Sequence, residues 1–156
     1  MRDSAAFELL PDQALVPAWC ADRFGIDPRV FAGHRFWRRA GTRVIRIAAA
    51  RSVIPDGLAA ETIGMQVMRK PPPRGKPTSV FLQRFGATAH RNTYVLDPER
   101  AARFLRREAV EIEPVDDAHG YCVVRTPERV LGCGRVDDGL LYSEIPQSWL
   151  HPDPGA

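Results

Sequence analysis

Apolar and polar positions along the chain change rhythm every few residues. Gly, Pro or an Asp-Pro pair stands at most of the changes, so the pattern predicts many short elements and no long helix. Pro17 to Phe24 reads as a short helix closed by Gly25, and Asp27-Pro28 offers an N-cap followed by proline at the first helical position for a second short turn. HRFWRRAGTRVIRIAAA (34–50) alternates on either side of Ala40-Gly41 and predicts a β-hairpin, with Arg43 and Arg46 interleaved with Val44, Ile45 and Ile47. RSVIPDG is a turn-rich join, and a domain boundary is expected there, near residues 55–60.

Beyond that join, IGMQVMRK predicts a strand, and KPPPRGKP is too rich in proline for a sheet ladder and predicts an exposed, extended loop. Thr78 can cap a helix SVFLQRF that Gly86 stops, NTYVL predicts a strand, and Asp97-Pro98 can cap a second helix, ERAARFLRRE, with Ala101, Phe104 and Leu105 on one face. From His119 onward GYCVVRT, RVLGCGRV and LLYSEI predict strands joined by TPER and DDG. Four or five strands with two short helices predict a compact mixed barrel.

Charge sharpens this picture. Residues 1–96 hold 15 basic against 7 acidic groups, while 97–156 hold 7 against 12, so a net charge of +3 conceals a basic first part and an acidic last part. Two stretches, between Asp27 and Asp56 and between Glu61 and Asp97, contain no acid at all, and 20 of the 22 cations are arginine. Basic segments this free of acid point to a polyanionic partner, because arginine's planar fork suits phosphates and base edges. Arg69, Lys70, Arg74 and Lys76 are presented by the proline-rich loop, and Thr78, Gln83 and Arg84 lie at the helix that follows it. Arg91 stands in the next basic stretch, where His90 is a further candidate for stacking on a base. Arg35, Arg38, Arg39 and Arg43 surround Phe36 and Trp37, whose rings serve either to stack bases or to fill the core. The remaining composition is that of a soluble globular protein: no apolar run approaches the ~20 residues needed to span a bilayer, the first residues lack a signal-peptide pattern, and a cytoplasmic protein is expected.

Candidate chemistry is sparse. Gly132-Cys133-Gly134 follows a strand, but it leads into the hairpin turn DDG instead of a helix, and a third glycine at dinucleotide-loop spacing is missing. The glycines therefore predict a bend or a close backbone approach within a strand. Pairing Arg125 with Val130 across TPER would set Cys122 opposite Cys133, as two packed thiols or a cross-strand pair. His34, His90, His119 and His151 have no metal-ligand spacing with each other or with the cysteines, so neither metal nor cofactor is expected.

The ordered run GMQVMR, KPTSVFLQRFG, NTYVL, RFLRRE, GYCVVR, VLGCGRV and LLYSEIP (62–150) resembles a PUA-like RNA-binding domain. The version it is most similar to is the one at the C-terminus of RNA cytosine-5 methyltransferases and in stand-alone archaeal ribosome-biogenesis proteins. RFGIDPRVF and the arginine-bearing hairpin after it resemble the small α/β domain that precedes PUA in such proteins. The resemblance implies an α+β fold: a small N-terminal α/β domain (1–58), a PUA-like mixed β-barrel with two short helices (59–150) and a disordered tail (151–156). It further implies binding of structured RNA, rRNA or tRNA, in maturation or modification, on a face made by the helix after Lys76 and its neighbouring strands. Tyr142 and Gln147 stand where the family usually has basic residues, so part of that contact is expected to be lost or moved. No cysteine follows a proline as a cytosine-5 methyltransferase nucleophile would, and the protein is expected not to be an enzyme. The alternative is a protein-interaction subunit that docks a catalytic partner, such as an RNA methyltransferase, through its acidic C-terminal surface.

Overall fold

The computed structural model of the chain describes residues 7–52, 62–113 and 119–150. The first sheet holds β1 (Phe7–Leu9), β2 (His34–Arg39), β3 (Ile45–Ala49) and β4 (Met65–Met68), antiparallel and in that order. Between β1 and β2 run α1 (Leu15–Phe24), closed by Gly25, and a 3₁₀ turn, Pro28–Phe31, whose Asp27 cap accepts the Arg29 N–H. The sequence places β4 after the expected boundary, yet β4 completes the first sheet by pairing with β3. The boundary itself, near 55–60, and the tail at 151–156 lie outside the described residues.

The second sheet is five-stranded and mixed, in the order β5 (Thr93–Val95), β7 (Gly120–Arg125), β8 (Val130–Asp137), β9 (Leu140–Ser143) and β6 (Val110–Glu111). β5 runs parallel to β7 and the other pairs are antiparallel. The sheet ends at two edge strands, so it is a curled half-barrel and not a closed barrel. α2 (Ser79–Phe85) is capped by Thr78, which accepts the Phe81 N–H, and α3 (Pro98–Leu105) by Asp97, which accepts the Arg100 N–H. Both caps satisfy backbone donors that a helix start leaves unpaired.

α2 lies between the two sheets. Phe81, Leu82 and Phe85 join Phe24, Phe31, Phe36, Ile45 and Ile47 of the first half and Val123 and Cys133 of the second sheet in one core. The opposite face of the second sheet packs Cys122, Val124, Leu131 and Leu141 against Ala101 and Phe104 of α3. Arg23 of α1 ties the halves together, donating to the carbonyls of His119 and Tyr121 at 2.6–3.1 Å. Described residues on both sides of the expected boundary thus share one core. No described helix is long and apolar enough to cross a membrane.

The two glycines around Cys133 answer to close packing. A methyl on Gly132 would stand 2.6 Å from Ser79 Oγ, and one on Gly134 2.7 Å from both Leu141 and Val124. The bare Gly132 lets the start of α2 sit on the strand, where Ser79 Oγ accepts the Cys133 N–H at 2.9 Å, while Gly134 makes room for Leu141 and Val124 in the other core. A register shift at Val124/Arg125 sets Cys122 opposite Gly134 and Val123 opposite Cys133. The two cysteines therefore point into different cores, which corrects the expected pairing, and all three thiols are free and buried.

Candidate functional site

Directly opposed residues on neighbouring antiparallel strands share a face. Tyr121, Arg135 and Tyr142 oppose one another across β7, β8 and β9, and form a polar and aromatic row on the side of the sheet that α2 covers farther along. The Arg135 guanidinium lies 4.8 Å from the centre of the Tyr142 ring, so the position that lacks a basic residue holds one from its cross-strand neighbour. Glu144, whose N–H donates to the Cys133 carbonyl, extends the same end of β9. Its carboxylate faces Lys76 Nζ at 3.3 Å through one oxygen and Arg135 Nε at 3.4 Å through the other, and its side chain is 21% exposed.

Across from Glu144 stands the proline-rich loop, and a cleft of about 540 Å³ lies between them. Its walls bring together Arg69, Lys70, Arg74, Lys76 and Thr78 with Gln66, Arg107, Tyr121, Glu144 and Gln147. The loop is not extended as expected: it turns over residues 72–74, and Gly75 presses against the Lys70 carbonyl so closely that no Cβ would fit. The turn aims the four cations at one cleft. Among the described residues, no carboxylate pairs with Arg69, Lys70 or Arg74, and all three are exposed. Arg107 donates to the Ile145 carbonyl and so is fixed on the opposite wall. Thr78 lines the cleft, but its hydroxyl is committed, donating to the Gln66 carbonyl at 2.7 Å and accepting from Phe81.

The PUA domain of the methyltransferase RsmF is the family whose model matches, over residues 91–151. Over these residues the chain is similar to a PUA-like domain of the type found in RNA cytosine-5 methyltransferases. No curated protein matches the chain. The PUA-like segment begins after α2, so it supplies one wall of the cleft, with Arg107, Tyr121, Glu144 and Gln147, while the segment before it supplies the other.

The remaining expected residues lie elsewhere. Gln83 Nε2 donates to the Leu131 carbonyl at 2.9 Å, and the Arg84 guanidinium stacks on Phe85 at 5.6 Å. Arg38 pairs with Glu8 at 2.6 Å and Arg39 lies over Phe7, leaving Arg35, Arg43 and Arg91 exposed outside the cleft. Phe36 is 2% exposed in the main core, and Trp37 packs beside Phe7, Ala48 and Ile63, so core filling, not base stacking, accounts for this pair. His90 lies against Gly25, close enough to exclude a Cβ there. The acidic surface expected on the C-terminal half is partly neutralised, since Glu108, Asp137 and Glu144 all sit in ion pairs.

Tyr121, Arg107, Arg135 and Glu144 escaped the sequence reading. For Tyr121 and Arg135 the signal is alternation along β7 and β8, where each is a polar or aromatic residue on an otherwise apolar strand, but it needs the register to bring them together; Arg107, in the turn after α3, and Glu144, just past β9, carry no such signal. The thiols offer no nucleophile: burial pushes Cys20 and Cys122 up to about 12 and Cys133 well above the ordinary thiol value. Among the described residues no His, Cys, Asp and Glu cluster is suited to a metal ion.

Proposed function

We propose that the protein binds RNA and performs no chemistry of its own, acting in rRNA or tRNA maturation or modification. The observation that carries this reading is the cleft, where Arg69, Lys70 and Arg74 face Arg107 across about 540 Å³ beside a PUA-like segment. Cations on facing walls attract a phosphate backbone and release its counterions, which gives affinity that falls steeply with salt. A turned loop loses less freedom on binding than an unstructured one, so its cations are set in place before RNA arrives.

The test is a titration of the whole protein with rRNA, tRNA and a matched DNA duplex at two salt concentrations, beside the double variant Arg69→Ala/Arg74→Ala. Both arginines are exposed, so the variant folds as the parent does. RNA affinity is expected to weaken with salt, by a logarithmic slope of about −0.7 for each single-strand phosphate contacted, and to fall about tenfold or more in the variant. RNA binding that is absent at low salt, or that the variant leaves unchanged, overturns the reading.

A further inference from the structure

Glu144 is out of place in a cleft built for phosphate. A carboxylate there repels the backbone that the surrounding cations attract, and it is held at 21% exposure between Lys76 and Arg135. Its two oxygens are nonetheless only loosely occupied, with contacts of 3.3 and 3.4 Å that are longer than a strong charged hydrogen bond. The cleft thus presents, side by side, an ammonium donor on Lys76 and two carboxylate acceptors on Glu144, with the Tyr121 side chain in the same wall.

Resting on the RNA-binding reading, we propose that this cleft takes one unpaired guanine nucleotide, with the base on Lys76 and Glu144 and its phosphates on Arg69, Lys70 and Arg74. The pairing edge of guanine reads acceptor, donor, donor: O6, N1–H and the N2 amino group. Lys76 Nζ donates to O6, and the two Glu144 oxygens accept from N1–H and N2–H. No other standard base matches that order. Adenine and cytosine each set a ring acceptor beside their amino group, against the carboxylate, and uracil offers a single donor between two carbonyls. The same edge is occupied in a duplex, so the cleft selects single-stranded or splayed-out guanosine.

The experiment uses the whole protein and labelled oligouridylates about eight nucleotides long, carrying one central guanosine, inosine, adenosine, cytidine or uridine. Guanosine is expected to bind about tenfold tighter than adenosine, cytidine or uridine. Inosine, which lacks the N2 amino group, is expected to fall between. Glu144→Gln is expected to erase the guanosine preference, because it replaces one of the two carboxylate acceptors with a donor. Equal binding of all five probes overturns the guanine assignment and leaves RNA binding standing. The inosine series needs no variant, so a folding defect in Glu144→Gln does not shelter the proposal. Absence of binding to any probe at low salt overturns RNA binding and the guanine assignment together.

Discussion

Val123 and Cys133 lie on the same face of the second sheet as Tyr121, Arg135 and Tyr142, only two residues away along β7 and β8. The first pair is sealed under α2 in the main core, whereas the second set is only half-buried, with Tyr121 packed at the edge of that core. At the sealed end the chain uses Gly132, Cys133 and Ser79, small groups that let a helix approach the strand. At the open end it uses long polar and aromatic side chains, which no packed helix would accommodate beside Glu144 and Arg135. A single sheet thus serves as floor for the core and as wall for the cleft, and side-chain size and polarity change along it.

The sealed end is the easier to break. Gly132→Ala sets a methyl 2.6 Å from Ser79 Oγ and 3.0 Å from Ile145, with the backbone of β8 on one side and the start of α2 on the other. Overpacking of this kind costs about 2–3 kcal/mol, read as a lower urea midpoint with an unchanged slope. Ser79→Ala has a smaller expected effect. It leaves the buried Cys133 N–H without its acceptor, at a cost of about 1–2 kcal/mol by the same measurement. Gly132→Ala is expected to keep parental RNA affinity under conditions where it remains folded, since Gly132 does not line the cleft. A loss of affinity at full folding would show that the two ends are not independent.

Local chemistry made the element ends legible and left their assembly hidden. Asp27-Pro28, Thr78 and Asp97-Pro98 announce helix starts because a cap acts within three residues of itself. β4 was readable as a strand, but not as part of the first sheet, because its partner Ile45 lies about twenty residues back across the join. The hairpin β7–β8 was legible too, yet the bulge at Val124/Arg125 shifts the pairing by one residue and turns Cys122 away from Cys133. β6 has only two residues, too few for any period to show. At the cleft, the loop cations could be named from their lack of acidic neighbours. That Arg38 is consumed by Glu8, while Arg69 and Arg74 pair with no carboxylate among the described residues, depends on contacts distant in sequence.

The smallest expected effect belongs to the open end, and it separates the ring of Tyr142 from its hydroxyl. The Arg135 guanidinium sits 4.8 Å from that ring and also contacts Glu144 and Asp137, at 3.4 and 3.6 Å. Its side chain is 39% exposed, so water screens both ion pairs and leaves the ring as the main lateral support. Tyr142→Phe keeps the π face and is expected to leave stability unchanged. Tyr142→Leu removes it and is expected to cost about 0.5–1 kcal/mol, measured by the same urea titration. If the ring also fixes Arg135 beside Glu144, the leucine variant narrows the preference for a guanosine-bearing oligouridylate, while the phenylalanine variant preserves it. An equal effect from both substitutions would assign the role to the hydroxyl, and the row across β7 to β9 would then act through hydrogen bonding and not through stacking.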